Sequence, residues 1–159
     1  MWKNCIENAC EHISLHDCVV NNAEIIGDTL SLTFNDGFWM LADSKYNSCG
    51  DTVRTDKSKI SFIDFDESVS EFYVFKRHYL FGKSICTTRK SVDLQKLLKK
   101  INSGEWKIEF NEQYGAFHRA LFFGGITTKK KIWEFEFQIA IECEKMEYYW
   151  NNIRPERKW

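Results

Sequence analysis

Three residues that carry chemistry in many proteins stand side by side near the start of the chain: His16, Asp17 and Cys18. A nucleophilic cysteine needs a histidine within hydrogen-bond reach and a third group to orient that histidine. Consecutive residues on an extended chain point to alternate sides, so these three do not converge on one reacting atom. Their order assigns Asp17 to a turn or cap, Cys18 to the core and His16 to a packing or surface role. A metal is the other chemistry the region invites, because Cys5, Cys10, His12, His16 and Cys18 lie within fourteen residues. His12 and His16 are four apart, which on a helix brings both to one side. Paired zinc ligands, however, follow a C-x2–4-C spacing, whereas Cys5 and Cys10 are five apart and share a stripe with Trp2 and Ile6. The expectation is core packing, with no metal and no other cofactor.

Two arginines make the next candidate. "FKRHY" at 75–79 and "FHRAL" at 117–121 each place an Arg two residues after a Phe. On strands, Arg77 shares a face with Phe75 and Tyr79, and Arg119 with Phe117 and Leu121. If the two strands are neighbours, their guanidinium groups between aromatic walls form a pocket for a carboxylate, a phosphate or a nucleotide base. Pairing with Glu134 or Glu136 is the plainer alternative. His78 and His118 fall on the opposite sides of their strands, so they join such a site only through a bulge. The third candidate is acidic: Asp51, Asp56, Asp64, Asp66 and Glu67 gather in and beside loops. "DFDES" at 64–68 lacks the sixth-position Gly and distant Glu of a calcium loop, which leaves a solvated surface or a face for a basic protein partner. No P-loop, dinucleotide glycine fingerprint, GxSxG elbow or pair of helix-borne carboxylates occurs, so the chain is read as non-enzymatic.

The elements that must position these residues follow from periodicity. Trp2, Cys5, Ile6, Ala9, Cys10 and Ile13 fit one side of a short amphipathic helix. "CVVNNAEII", then Gly27-Asp28, then the alternating "TLSLTF" read as a hairpin, and the "NDG" turn at 35–37 reverses the chain into "FWML". Residues 43–59 are polar and aperiodic, so they read as a long surface loop. "ISFIDF" at 60–65 and "EFYVFKRHYLFG" at 71–82 read as strands, the second apolar on both faces and so placed inside a sheet. Ser91 caps a helix through "VDLQKLLKKINSG", with Val92, Leu94, Leu97, Leu98 and Ile101 as its buried stripe and Lys99 and Lys100 in its last turn. Strands at 105–110, 115–123 and 131–144 follow, and "NNIRPERKW" ends the chain as a loosely docked tail. The sum is an α+β class: a strongly bent antiparallel sheet of seven or eight strands, curling toward a barrel, with one or two packed helices.

The totals set the remaining bounds. A chain of 159 residues folds as one domain, taken to span 1–159. Aromatic residues reach 16% and Pro155 is the lone proline, which favours strands. With 22 Lys and Arg against 23 Asp and Glu, the net charge of -1 argues against nucleic acid and membrane as partners. The N-terminus has no apolar leader and no long apolar run occurs, so a soluble, cytoplasmic protein with six reduced cysteines, mostly buried, is expected.

The segment "LHDCVVNNAEIIGDTLSLTFNDGFWM", residues 15–40, resembles the opening of a group of small β-rich bacterial proteins, among them immunity proteins of polymorphic-toxin systems. The shared pattern is an HD dipeptide entering a first strand, a short turn, and a second strand that ends in a DGF reversal. The resemblance implies a cytoplasmic protein that neutralises a cognate toxin by direct binding. The leading expectation is therefore a protein-binding module that meets a basic toxin domain through Asp51, Asp56, Asp64, Asp66 and Glu67. The alternative is a small anionic-ligand-binding domain or enzyme with its pocket around Arg77 and Arg119.

Overall fold

The computed structural model describes residues 1–116 and 118–159. Of these, 61% lie in strands and 6% in one helix, in three antiparallel sheets that do not close into a barrel. The expected bent sheet with one or two helices is thereby corrected to a mostly β fold. The first sheet contains β1 (Asn4–Glu7), β4 (Asn22–Ile26), β5 (Thr29–Phe34), β8 (Ser58–Ile63) and β14 (Lys145–Trp150), in the order β1-β14-β8-β5-β4. The second contains β3 (Cys18–Val20), β9 (Asp66–Leu80), β10 (Lys83–Ser91), β11 (Trp106–Ala116), β12 (Arg119–Thr128) and β13 (Phe135–Glu142), in the order β10-β9-β13-β12-β11-β3. The third is small: β2 (Ile13–Ser14), β6 (Trp39–Met40), β7 (Val53–Thr55) and β15 (Ile153–Lys158), in the order β15-β7-β6-β2.

The core lies between the first two sheets and is built on aromatic rings. Phe34 of β5 meets Phe110 of β11 at 6.0 Å, and Phe62 of β8 meets Phe122 of β12 at 5.8 Å. Alternation explains which side chains arrive there, since residues two apart on a strand share a face. Phe137, Ile139 and Ile141 of β13 turn inward in this way, as do Met146, Tyr148 and Trp150 of β14. The helix α1 (Leu94–Asn102) buries Leu94, Leu97, Leu98 and Ile101 against the same core. Its cap is Asp93, whose carboxylate accepts from the Lys96 amide. Ser91 is the last residue of β10, and the next amide, Val92, still donates to the Phe72 carbonyl, so the chain is not yet free to turn there. Asn102 pins the far end of α1 to β4 by exchanging two 2.8 Å hydrogen bonds with the Ala23 backbone.

The N-terminal helix is replaced by strand, turn and strand. Ile6, Ala9 and Ile13 are buried as the stripe requires, but β1 takes its hydrogen bonds from β14 and β2 from β6. Backbone pairing with distant strands overrides a local pattern that fits two periods, and Cys5 turns outward. The hairpin of β4 and β5 forms as expected around Gly27, while "CVV" leaves it to pair with β11 in the other sheet. The polar stretch 43–59 contains the buried β7, which forms with β15 the third sheet's outer pair and thereby docks the tail. Trp159 lies beyond β15, with its ring 5.1 Å from His16 and 5.4 Å from Trp39.

Candidate functional site

The most exposed architecture is the hairpin of β9 and β10. β13 accompanies β9 only as far as Phe75, so from Lys76 onward β10 is the strand paired with it. All nine residues of β10 are exposed, and it forms the free edge of the six-stranded sheet. Its inner face and α1 enclose an open groove of about 710 Å³, lined by Lys76, His78, Lys90, Lys96 and Lys100 over Trp106. Cations here rest on rings: Lys100 lies 4.4 Å from the Trp106 centroid, Lys76 5.7 Å from Phe135, and on the outer face Arg89 lies 3.5 Å from Tyr73. Lys100 also pairs with Glu105, and His78 Nε2 shares a 3.0 Å hydrogen bond with the Thr88 hydroxyl.

This concentration of charge was legible in the chain. Between Lys76 and Lys100 there are eight Lys or Arg residues and one acid, Asp93, although the whole chain is nearly neutral. A net charge of -1 therefore describes a molecule with a basic hairpin end and an acidic remainder, and the field at either end is not that of the average.

The His16-Asp17-Cys18 triplet assembles no catalytic geometry. Asp17 has φ of +56°, its amide donates to the Phe110 carbonyl, and its carboxylate lies 3.1 Å from His16 Nδ1. Cys18 is buried beside Arg54, whose guanidinium donates to the Asp17 and Asp36 carbonyls and approaches Cys18 Sγ at 3.5 Å. Burial pushes the Cys18 thiol up to about 12 against the opposing pull of Arg54, so it is a protonated core group. Burial likewise raises the Cys143 thiol to about 11. Alkylation of the folded chain near neutral pH is expected at the exposed Cys86, with Cys18 and Cys143 modified only on unfolding; peptide mapping by mass spectrometry would expose an error if either labelled first. The same shift carries a sign for stability. The unfolded Cys18 loses its proton near 9.0 while the folded one keeps it, so this contribution is full below 9 and is lost as pH rises toward 12.

The other candidates disperse. Cys5 is exposed on β1, Cys10 Sγ lies 3.3 Å from the Tyr148 hydroxyl, and His12 packs edge-on against Tyr46. Among the described residues no group of three or more His, Cys, Asp or Glu is placed to hold a metal. Arg77 and Arg119 are not on neighbouring strands, because β13 separates β9 from β12. Arg77 pairs with Glu136 at 2.5 Å, whereas Arg119 reaches Glu71 at 3.6 Å and Glu142 at 4.0 Å. Glu136 and Glu142 are six positions apart on β13, roughly 20 Å along a strand, so the two guanidinium groups serve different ends of the sheet. Phe117, expected on the Arg119 face, lies outside the described residues.

The acidic set splits in two. Asp51 pairs with Lys158 at 2.6 Å, and Asp56 accepts from the Asn151 amide and the Asn152 side chain. Asp64, Asp66 and Glu67 stand together at the turn from β8 to β9, where Asp66 accepts from the Ser68 hydroxyl and amide, bonds that hold its carboxyl below its ordinary range. No family model, curated protein or solved structure matches this chain.

Proposed function

We propose that this chain is a non-enzymatic protein-binding module that acts by occupying its partner, in the manner of the immunity proteins that residues 15–40 resemble. The observation that carries this reading is the open edge of β10, nine exposed residues long. A free edge presents unpaired amides and carbonyls at strand spacing, which is a template for an added strand from another protein. Natural sheets shield such edges unless they are used, and here the shielding is limited to charge and to one irregularity between Ser84 and Cys86.

Lys83, Arg89 and Lys90 set the sign of the partner: a segment rich in Asp and Glu is steered to this edge, whereas a second β10 is repelled by like charge. Three of the five acidic residues expected to meet a basic toxin domain, Asp51, Asp56 and Asp66, are engaged within the chain, which favours the hairpin over the acidic loops as the docking face. Arg89→Glu combined with Lys90→Glu is expected to weaken capture of the partner by about tenfold or more, with an unchanged circular dichroism spectrum. Calorimetry with the captured partner measures it. Undiminished affinity in that variant, together with a loss on neutralising Asp64, Asp66 and Glu67, would return the interface to the acidic corner and make a basic toxin the better partner.

A further inference from the structure

The turn that closes β9 on β10 breaks the usual rule for its type. Leu80 pairs with Lys83, so the loop is Phe81-Gly82, with φ of +50° and +78°. Two positive φ values in a two-residue loop call for Asn-Gly or Gly-Gly, and a bulky aromatic at the first position is sterically unfavourable. Phe81 gains no packing in return, since it is 96% exposed. A local rule broken without a compensating contact inside the molecule points to a contact outside it.

A second turn stands beside this one. Lys131 Nζ lies 5.8 Å from the centroid of the Tyr79 ring, which places the connection between β12 and β13 against the hairpin. That connection reads "KKKIW" at 129–133, and it exposes Ile132 at 78%. Together the two turns and their flanks expose Tyr79, Leu80, Phe81, Ile85, Ile132 and Trp133, with Lys83, Lys129, Lys130 and Lys131 interspersed among them along the chain. Among the described residues none of these four lysines forms an ion pair. The nearby acids are occupied, Glu136 by Arg77, Glu134 by the Thr128 hydroxyl, and Glu105, which Lys129 also attracts, by Lys100.

From this arrangement we infer that the hairpin end docks on an anionic lipid bilayer. Apolar side chains carried on narrow turns suit the boundary between headgroups and acyl chains. Lysines on flexible stems suit a diffuse layer of phosphate and carboxylate charge, because they reach it without fixed geometry. Charge segregation sets the orientation. The acidic corner of Asp64, Asp66 and Glu67 lies at the opposite end of β9, up to roughly 45 Å from the tip, and is held off the same surface. Arg89 is six residues from Lys83, roughly 20 Å along β10, so the Arg89–Ser91 end of the strand edge stays clear of the bilayer while Lys83 meets it. No described helix is long and apolar enough to cross a membrane, and the inferred contact is peripheral.

Cosedimentation of the full chain with vesicles tests the inference. Binding is expected with phosphatidylcholine vesicles containing about 30 mol% phosphatidylserine at about 0.1 M salt, with little on phosphatidylcholine alone and release at higher salt. Phe81→Ser removes an exposed side chain and leaves the core untouched; it is expected to reduce partitioning about tenfold, as is Lys129→Glu with Lys130→Glu and Lys131→Glu. Asp64→Asn with Glu67→Gln is expected to bind at least as well as the parent. Failure to sediment with the anionic vesicles, equal binding to both compositions, or full binding by Phe81→Ser would overturn the inference. Because no protein partner is present, none of these results bears on strand addition at β10.

Discussion

Phe110→Ala is expected to remove about 3–5 kcal/mol of folding free energy, the largest loss available to a single core truncation here. Phe110 is fully buried, and its ring lies 5.1 Å from Phe122, 5.4 Å from Phe137 and 6.0 Å from Phe34. Those neighbours come from β12, β13 and β5, so one side chain ties the two large sheets together. The hole left by an alanine cannot close by a small shift of one neighbour, because the rings around it are held on different strands. Directly opposite on β12 stands Gly124, where a Cβ would meet Phe137 carbons at 2.7 and 2.8 Å and the Glu109 carbonyl at 1.9 Å. Side chains in this part of the core are therefore already at close approach. With total stability of a domain near 5–15 kcal/mol, the variant retains little margin. Urea unfolding followed by circular dichroism measures the loss, with Val69→Ala, at a half-exposed strand position, as the control expected within about 0.5 kcal/mol of the parent. A change below about 1 kcal/mol for Phe110→Ala would mean that the ring cluster does not carry the packing assigned to it.

Gly37→Ala is expected to be nearly as damaging, at about 3 kcal/mol, through backbone rather than packing. Gly37 has φ of +77°, and a Cβ there would lie 2.3 Å from the carbonyl oxygens of both Thr55 and Asp56 and 2.6 Å from the Thr55 hydroxyl. Thr55 cannot yield easily. Its amide donates to the Phe38 carbonyl, and its hydroxyl interacts with the Phe38 amide and carbonyl and with Ser58. An added methyl must break that set or move β7 away from β6. A thermal unfolding midpoint within a few degrees of the parent would contradict the tightness of the crossing.

Gly37 also marks where the chain was readable and where it was not. Its Asn-Asp-Gly setting announces a reversal, but the strand that enters it belongs to the first sheet and Trp39 and Met40, after it, belong to the third. A turn residue specifies local backbone and is silent about which sheet receives the next strand. The alternation of "TLSLTF" and the stripe of Leu94, Leu97, Leu98 and Ile101 were legible because the apolar residues of each follow a single period, although Ser31 and Thr33 on the polar face of the strand are buried too. β1 was not legible as a strand, since Ile6, Ala9 and Ile13 suit a helix and the deciding partner, β14, lies some 140 residues away. β10 escaped for the opposite reason: "KSICTTRKS" has no buried face, so no hydrophobic period marks it. Of the site, the basic run and the lysine triplet were visible as composition. Their convergence depends on the pairing of β9 with both β10 and β13, which only the fold supplies.

The place of β14 between β1 and β8 has a consequence for biosynthesis. Strand β8 is complete by Ile63, yet the neighbour that shields its free side is not made until Lys145–Trp150 leave the ribosome. β1 waits longer still, from Asn4–Glu7 until Glu147–Trp150 are made. Contacts of such separation form slowly and late, so the first sheet closes only once Lys145–Trp150 have emerged. Between the completion of Ile63 and the arrival of Lys145 the nascent chain carries the apolar strand β8 with an open edge, and a product truncated before Lys145 is expected to accumulate in the insoluble fraction.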